Sequence, residues 1–443
     1  MPTTFDDRRC LESLDREQLQ RHQLARLNAL LERVLPHNRF YAEKLAGIHR
    51  PLTSLAELAD WHYTFKDELI GTHQEHDVVA NLTWPRERYA RFHQTSGTRG
   101  RPMIVLDAAD DWPWWLDCWQ YVLDAAEMGP ADCALFAFSF GPFIGFWSAF
   151  DAVAARGCMV VPSGGMTTRA RLDLIGRCSA TAVFCTPSYA LHMAEAAEEY
   201  KLEMGASSVR VLVLAGEPGG SIPEVRARIE QAWQASVIDH AGASEVGPWG
   251  YGYSTGGGIH VNEAEFLAEF LSVETGGLAE EGDLAELVLT TLGRAGAPLF
   301  RYRTGDLVRP TWRGLSPCVE SSEQKGTVPF AANNRFVFLE GGVLGRSDDM
   351  LVVRGVNIFP GSLEQIIRAF PEVVEYRITA RTASAMDYLV VEIEDRLNAP
   401  QRVAEELRLR LGLKMEVLPV PLGSLPRFEG KGRRFIDERT RTV

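Results

Sequence analysis

Short apolar runs alternate with longer amphipathic segments through the middle of the chain. Between residues 133 and 218 the apolar runs read CALFAFSF, CMVVPSGG, ATAVFCTP and VRVLVLAGEP, and a segment with apolar positions at helical spacing follows each of them. Such alternation is typical of a parallel β-sheet with crossover helices. The pattern predicts an α/β core in which ligands bind beyond the carboxyl ends of the strands.

Helical spacing also marks the N-terminal third of the chain. Leucines recurring between residues 10 and 46 predict one long amphipathic helix. Ser54 stands three residues before Glu57, a capping-box pattern that predicts the start of a second helix. Residues 112–121 are rich in tryptophan, and their acidic neighbours favour a helix that packs its aromatic stripe into the core over a surface that stacks on nucleic-acid bases.

The pattern changes near GRSDDMLVVRGVNIFP, at residues 345–360, which we interpret as a hinge. Strand-like and helical segments alternate from there to the C-terminus, in a unit of roughly 95 residues that has the size of a compact domain. We expect a large domain at residues 1–347, with the parallel-sheet core and a β-rich portion, and a small mobile α+β domain at residues 348–443.

Composition narrows the class of protein. Hydrophobic residues make up 46% of the chain, and 46 basic against 59 acidic side chains give a net charge of −13. This excess of acids argues against a broad face for nucleic acid. The N-terminal MPTTFDDRRC lacks the apolar core of a secretory signal, and no apolar run reaches the roughly 18 to 20 residues of a membrane span. The sequence therefore predicts a cytoplasmic protein with no membrane or nucleic-acid partner.

The seven cysteines are scattered and form no C-x2-C pair. Neither a disulfide framework nor a cysteine zinc site is predicted. Cys185 and His192 would suit a nucleophile with its base, but the flanking AVFCTP is typical of a buried strand end. A core role for Cys185 is the favoured interpretation.

TSGTRGRP, at residues 95–102, follows the strand-like segment YARFHQ. Its glycines let the backbone turn with N–H groups pointing inward, its hydroxyls add donors, and its arginines add positive charge. These features predict a phosphate-binding loop, and an ordinary Ser/Gly turn is the alternative. The segment does not match the Walker pattern, so kinases and GTPases of that type are not indicated.

Further candidates for chemistry lie downstream. Glu245, in VIDHAGASEVGPWG, can hold Mg²⁺ directly or through water, although a lone acid in a loop is more often solvated. Asp306, in what we predict to be a turn at YRTGD, can accept both hydroxyls of a ribose. Lys431 lies between two glycines on a basic loop, which suits either a lysine that reaches an anionic centre or a solvated patch. His260, in a strand, is assigned a structural role.

Taken together, these motifs resemble a known superfamily. TSGTRGRP, GASE, YRTGD, GRSDDMLVVRGVN and LPRFEGK occur in the order and approximate spacing of the acyl-adenylate-forming enzymes, which include acyl-CoA ligases, peptide-synthetase adenylation domains and luciferases. The finer resemblance is to the phenylacetate–CoA ligase branch. It rests on segments spread over nearly the whole chain, among them LERVLPHNRFYAEKL, TPSYALHMAEAA, IHVNEAEF and SDDMLVVRGVNIFP.

The resemblance implies an acid–thiol ligase that uses ATP, Mg²⁺ and coenzyme A. A carboxylic acid would form an acyl-adenylate, and the acyl group would pass to coenzyme A. A carrier-protein thiol or an amine is an alternative acceptor, and a non-catalytic nucleotide-binding protein is a second alternative on the same fold. The identity of the acid is left open, and the resemblance alone suggests a homodimer.

Residues that match the family motifs take the following implied roles. The β- and γ-phosphates of ATP would contact Thr95, Ser96, Gly97, Thr98, Gly100 and Arg101. Ser244 would lie near the α-phosphate and Glu245 at Mg²⁺. The rest of the nucleotide would contact Gly216, Glu217 and Pro218 at the adenine and Asp306 and Arg346 at the ribose.

The small domain carries three of the implied roles. Lys431 would bridge the carboxylate and the α-phosphate during adenylation. Asp348 would be the pivot about which the domain rotates, and the rotation would withdraw Lys431 and bring Gly355 to the thiol channel.

Several places depart from the family pattern, and two of them bear on the ligands. Ala241 stands where an aromatic residue is common, so His240, one position earlier, becomes the candidate contact for adenine. The loop FSFGPFIG differs from the glycine-rich form, so the acid itself can differ. Its aromatic and apolar side chains suggest an aromatic or other apolar acid, in a pocket formed by Phe138, Phe140, Gly141, Phe143 and Ile144.

Overall fold

The computed structural model describes residues 3–70, 79–95, 102–312, 333–347, 351–353, 356–358, 360–383, 386–411, 413, 415–428 and 434–439. The helices are α1 (Phe5–Glu12), α2 (Arg16–Val34), α3 (Arg39–Lys44), α4 (Lys66–Leu69), α5 (Trp112–Ala125), α6 (Trp147–Ala155), α7 (Thr168–Cys178), α8 (Pro187–Glu199), α9 (Pro223–Trp233), α10 (Pro360–Arg368) and α11 (Pro400–Leu411).

The strands within the described residues run from β1 to β21. They are β1 (Tyr89–Gln94), β2 (Ile104–Ala108), β3 (Cys133–Phe136), β4 (Met159–Pro162), β5 (Ala182–Cys185), β6 (Val211–Leu214), β7 (Ser236–Ala243), β8 (Gly247–Tyr251), β9 (Gly258–Val261), β10 (Phe266–Ser272), β11 (Ala285–Thr291), β12 (Tyr302–Val308), β13 (Pro310–Thr311), β14 (Phe338–Glu340), β15 (Gly345–Arg346), β16 (Leu351–Val353), β17 (Val356–Ile358), β18 (Val373–Ala383), β19 (Met386–Asp395), β20 (Glu416–Pro419) and β21 (Phe435–Asp437).

A large mixed sheet in the order β13-β14-β9-β8-β7-β6-β5-β3-β4 forms the core. Strands β4, β3, β5, β6 and β7 are parallel neighbours. Alternate residues on each strand face opposite layers: Phe184 and Val213 pack with α5 and α6, whereas Val183 and Leu212 pack with α7, α8 and α9. The predicted α/β core is confirmed, and its apolar runs are continuous because helices cover both faces.

The N-terminal segment differs from the single long helix predicted for residues 10–46. Helix α1 ends at Glu12, and Asp15 caps a new helix by accepting the backbone N–H of Gln18. Helix α2 then ends at Val34 before Asn38 caps α3. The prediction was wrong because the apolar spacing continues through residues 10–46, whereas the helix itself is interrupted where Asp15 and Asn38 cap new helices.

The other local predictions in this half of the chain are confirmed. Ser54 and Glu57 form a capping box, although the element that they start is a short 3-10 helix at Leu55–Asp60. The tryptophan-rich segment is helix α5, whose aromatic side chains are buried. Cys185 is fully buried in β5, and burial raises the pKa of its thiol, as the core interpretation requires. His260 is buried in β9 and its Nδ1 lies 3.0 Å from the carbonyl oxygen of Phe336.

A second sheet, in the order β10-β11-β12-β15, is antiparallel. YRTGD lies inside strand β12 and not at a turn, as the sequence suggested. Gly305 adopts a φ of +76°, which glycine tolerates well, and the pairing of β11 with β12 shifts register beside it. The bulge gives this strand the local bend that was mistaken for a turn.

The C-terminal unit is built on a sheet in the order β20-β19-β18-β21. Apolar residues of α10, α11 and this sheet form a core of their own. The predicted fold class, a large α/β part and a small α+β part, is confirmed, whereas the boundary between residues 347 and 348 stays a prediction. Within the described ranges, no helix is both long and apolar enough to cross a membrane.

Candidate active site

Thr95, the first residue of the predicted phosphate loop, directly follows β1, which pairs with β2. The N–H of Thr95 donates to the carbonyl oxygen of Met103 at 2.9 Å, and the N–H of Met103 donates to Oγ1 of Thr95 at 3.0 Å. The last strand pair before these residues joins Gln94 to Ile104. These hydrogen bonds extend the pairing of β1 with β2 to Thr95 and Met103.

Glu245 lies in the tight connection between β7 and β8, with its side chain 10% exposed. The hydroxyl of Tyr302, on β12, donates to Oε1 of Glu245 at 2.8 Å. The ammonium of Lys66, on α4, lies 3.7 Å from the same oxygen. Three separate segments therefore converge on one carboxylate. Half-buried Ser244 precedes it in the chain.

A buried arginine, Arg294, binds the backbone of this connection between β7 and β8. Arg294 donates through Nη1 to the backbone carbonyl of Glu245. Its Nε donates at 2.8 Å to Asp107 of β2, and the two side chains are 1% and 0% exposed. Trp115 donates at 2.9 Å to the same oxygen of Asp107. The hairpin of β1 and β2 and the segment with Glu245 are thus tied to one buried ion pair.

Asp306 and Arg346, both predicted at the ribose, face each other across β12 and β15. Nη1 of Arg346 donates to Oδ1 of Asp306 at 3.0 Å, and Nη2 donates to the carbonyl oxygen of Thr304 at 3.1 Å. A side chain at Gly305 would place its Cβ 2.9 Å from Nη2 of Arg346. The glycine therefore leaves room for the arginine, and the pair presents a carboxylate next to a cation.

Glu217, predicted at the adenine, follows β6 at the carboxyl edge of the parallel sheet. Its Oε1 accepts the backbone N–H of Ser188 at 2.7 Å, in the first turn of α8, where the helix dipole favours negative charge. Its Oε2 lies 3.5 Å from Nη1 of Arg434, which belongs to the C-terminal unit. Gly216 has a φ of +94° and is exposed, while Pro218 is half-buried.

His240 lies on β7 with its ring 4.1 Å from that of Trp119. Its Nδ1 is 2.8 Å from the carbonyl oxygen of Gly250, so Nδ1 carries the proton. Burial lowers the pKa of His240 to about 4, which keeps the ring neutral at pH 7. A Cβ on Gly242 would lie 3.2 Å from Nε2, so the acceptor nitrogen faces the GASE segment.

The loop after β3 carries the predicted acid pocket. The rings of Phe138 and Phe140 are 4.5 Å apart, and Phe140 packs edge-on against Trp147 at 4.7 Å. Ile144 is buried in the cluster of the tryptophan helix, whereas Phe143 is 45% exposed. Gly141 accepts a hydrogen bond from the Trp147 indole at 3.0 Å. The structure thus brings Phe138 and Phe140 together and leaves Phe143 at the surface.

Several predicted site residues lie outside the described residues. They are Ser96, Gly97, Thr98, Gly100, Arg101, Asp348, Gly355 and Lys431. Their roles stay predictions.

The donor set can be tested against Mg²⁺. Within the described ranges, no cluster of three or more His, Cys, Asp or Glu side chains is placed to hold a metal ion. A single carboxylate such as that of Glu245 is sufficient for Mg²⁺ bound to a nucleotide, because this ion takes one or two protein carboxylates and completes its shell with phosphate oxygens and water. A zinc site from protein ligands alone is not supported by these residues.

The sequence analysis missed Lys66, Arg294 and Arg434. None of them lies in a motif that carries a recognised chemistry, and their partners are distant in the chain. Arg294 and Asp107, for example, are 187 positions apart. Tyr302 was part of a quoted motif, but only the fold shows its hydrogen bond to Glu245.

Comparisons with known proteins identify the family and the fold. Residues 355–439 match the model of the AMP-binding enzyme C-terminal domain. The chain is 32% identical to a phenylacetate–coenzyme A ligase of Thermus thermophilus, over 97% of this chain and 98% of the relative. It superposes on 2-hydroxyisobutyryl-CoA ligase in the postadenylation state with a TM-score of 0.87, at 24% identity over 99% of this chain and 94% of the other. For the same ligase in the thioesterification state the TM-score is 0.71, at 26% identity with the same coverage.

The fold and these matches define an AMP-binding enzyme of the acyl-CoA ligase class. With a relative of this identity and coverage, the chain belongs to the phenylacetate–coenzyme A ligase family.

Proposed function

We propose that this enzyme activates a carboxylic acid with ATP and transfers the acyl group to coenzyme A, with release of AMP. The observation that carries the proposal is the hydrogen bond from Tyr302 to Glu245, whose backbone is tied through Arg294 to strand β2. Thr95, the first residue of the predicted phosphate loop, directly follows β1 of the same hairpin, which supports a nucleotide site beside this carboxylate. The family relationship supplies the expectation that the two act on one nucleotide.

In the first step a carboxylate oxygen of the acid attacks the α-phosphorus of ATP. A new O–P bond forms at the α-phosphorus. The bond between the α-phosphorus and the oxygen that bridges it to the β-phosphorus breaks, and pyrophosphate leaves with the electron pair of that bond. Charge moves onto the phosphates, so catalysis depends on positioning and on cations. Lys66 and Lys431 are the candidate protein cations, and Mg²⁺ at Glu245 would supply further charge neutralisation.

The nucleoside would lie along the carboxyl edge of the sheet. Asp306 would accept the ribose hydroxyls while Arg346 holds its carboxylate in place, as the 3.0 Å contact between them suggests. Gly216, Glu217 and Pro218 would border the adenine. Since Ala241 offers no ring, the neutral His240 is the candidate to contact the base from the adjoining strand.

In the second step the sulfur of coenzyme A attacks the acyl carbonyl carbon, and AMP leaves with the electron pair of the C–O bond. The thiol gives up its proton on attack. We propose that the small domain rotates about Asp348 between the two steps, which would replace Lys431 by Gly355 at the acyl group.

The proposed acid is aromatic or otherwise apolar. Phe138 and Phe140, which contact each other and of which Phe140 packs on Trp147, supply aromatic surface after the carboxyl end of β3. Transfer to a carrier-protein thiol or to an amine is the alternative second step, because the same adenylate serves every acceptor. The residues of the first step do not distinguish among these acceptors.

The test is pyrophosphate release from ATP and Mg²⁺ across a panel of aryl, arylacetic and aliphatic acids, each with and without coenzyme A. We expect release that depends on the acid, is faster with coenzyme A and yields a thioester. Release that ignores coenzyme A would move the acceptor to a carrier protein or an amine. If no acid in the panel causes release, the proposed activity on these acids is wrong.

A further inference from the structure

Arg434 is a small-domain side chain that reaches the large domain. Within the small domain it forms a two-point ion pair with Glu375, Nε to Oε1 at 2.6 Å and Nη2 to Oε2 at 3.1 Å. Its own carbonyl oxygen accepts the N–H of Ile378, on β18, at 2.7 Å. Nε and Nη2 of the guanidinium thus bind Glu375 inside the small domain. The third nitrogen, Nη1, lies 3.5 Å from Oε2 of Glu217.

The contact between Arg434 and Glu217 is shielded from water. The two side chains are 8% and 6% exposed. Charges at this depth interact more strongly than surface pairs, and an unpaired charge there is costly. The backbone N–H of Ser188 donates to the other oxygen of Glu217, so the carboxylate that Arg434 faces is held on the large-domain side.

A second arginine strengthens the case. Arg368, at the end of α10, pairs with Glu364 at 2.8 Å and is buried, and the negative charge of Glu217 acts on its guanidinium. Its Nη2 is buried without a hydrogen-bond partner among the described residues. Arg434 therefore lies against Glu217, whose charge also helps Tyr376 and Glu364 to raise the pKa of Arg368, and Glu217 belongs to the loop that we place at the adenine.

We propose that Glu217 and Arg434 form an electrostatic latch that holds the small domain in the orientation for adenylation. Arg434 is then a positioning residue: it sets the place of the segment that contains Lys431, three positions earlier in the chain. The chain superposes more closely on a related ligase in its postadenylation state than in its thioesterification state. A rotation of the small domain would break the latch, so the latch acts in the first step and is open in the second. This inference rests on the proposed function.

The test measures the two half-reactions separately in the full chain. ATP–pyrophosphate exchange reports adenylation, and consumption of a preformed acyl-adenylate with coenzyme A reports thioester formation. For Arg434→Ala we expect exchange to fall about tenfold or more, with thioester formation within about twofold of the unaltered protein. A purely structural defect would lower both rates together, and that result, or no effect on exchange, would overturn the latch.

Arg434→Gln keeps a side chain of similar length without the charge, so the test survives if Arg434→Ala does not fold, and we expect the same split between the half-reactions. Glu217→Gln breaks the contact from the large-domain side, but Glu217 also borders the proposed adenine site, so this variant is used only in a double-mutant cycle on exchange. Exchange in Arg434→Ala combined with Glu217→Gln should be no lower than in the more affected single variant. If the losses of exchange in the two single variants add in the double variant, the two side chains act independently and the proposal is wrong.

Arg377→Ala is the matched control. It removes a two-point ion pair with Glu392, at 2.6 and 2.8 Å, on the same small-domain sheet and away from the large domain. Both half-reactions should stay within about twofold. If the unaltered protein shows no exchange with any acid, the proposed function has failed; if it exchanges and Arg434→Ala behaves like Arg377→Ala, the latch alone has failed.

Discussion

The hydroxyl of Tyr302 donates a hydrogen bond of 2.8 Å to Oε1 of Glu245, and both side chains are buried. Burial, together with the charge of Glu245, raises the pKa of Tyr302 well above its ordinary value, so the phenol stays protonated and remains a donor. This bond joins the antiparallel sheet to the edge of the parallel sheet. It fixes the orientation of the one carboxylate that is our candidate for Mg²⁺.

Tyr302→Phe should weaken the use of Mg²⁺. The substitution keeps the ring and removes a hydrogen bond to a charged group, which contributes about 1.5 to 3 kcal/mol. We expect the Mg²⁺ concentration for half-maximal pyrophosphate exchange to rise about tenfold or more, measured by titration at saturating ATP and acid.

Tyr63→Phe is the control for that experiment, because the Tyr63 hydroxyl also has a hydrogen bond, from Arg301 at 3.0 Å, but not with Glu245. Its Mg²⁺ requirement should be unchanged. An unaltered Mg²⁺ requirement in Tyr302→Phe would mean that Glu245 does not need this support or does not hold the metal.

Lys431→Ala should remove most of the adenylation activity. A cation between the attacking carboxylate and the α-phosphate stabilises charge that develops in the transition state, and loss of such a group lowers the rate by about a hundredfold or more. Pyrophosphate exchange is the readout, and reaction of a preformed acyl-adenylate with coenzyme A should be much less affected.

Lys44→Ala provides a comparison, since Lys44 pairs with Glu68 at 2.7 Å outside the site. If the exchange rate of Lys431→Ala stays within about threefold of that of the unaltered protein, the role assigned to Lys431 in adenylation is wrong.

The sequence predicted those structural elements that depend on residues close together in the chain. Apolar runs such as VRVLVL report burial on both faces of β6, and a capping pair such as Ser54 and Glu57 acts within one turn. Asp15 and Gln18 form a capping box of the same kind, so the break between α1 and α2 was also written in the sequence, but the continuing leucine spacing outweighed it. The bulge at Gly305 depends on its partner strand and could not be read from YRTGD.

The candidate site divides in the same way. Glu245, Asp306 and Lys431 lie in motifs whose chemistry is visible in the residue types. Arg294 and Arg434 look like ordinary surface arginines in the sequence, because a buried ion pair is defined by partners that the fold brings from far along the chain. Long-range electrostatic contacts leave no local pattern, and three of the supporting residues were missed for that reason.

Arg294→Met should destabilise the fold strongly. The substitution removes the cation of a fully buried pair and leaves Asp107 charged and unpaired, which costs about 3 to 5 kcal/mol. The free energy of unfolding, measured by denaturant at pH 7, is the readout. Asp107→Leu combined with Arg294→Met should recover part of the loss, because no buried charge is left alone; a double variant that is less stable than Arg294→Met would contradict this account.

His260 gives a prediction on pH. Burial lowers the pKa of His260 from its ordinary value of about 6.5 to about 4. The unfolded chain therefore binds the proton more readily than the folded chain, and stability is lost as pH falls from about 6.5 toward 4. Between pH 7 and pH 5 this linkage amounts to about 2 kcal/mol. His260→Gln does not titrate, and its amide can still donate to the carbonyl oxygen of Phe336.

The unaltered protein should therefore lose about 2 kcal/mol more unfolding free energy between pH 7 and pH 5 than His260→Gln does, since only the histidine takes up a proton on unfolding. Denaturant titrations at the two pH values measure this difference. His37→Gln, at an exposed position, should lose as much as the unaltered protein. If His260→Gln and the unaltered protein lose equal stability, the buried ring does not control this part of the pH dependence.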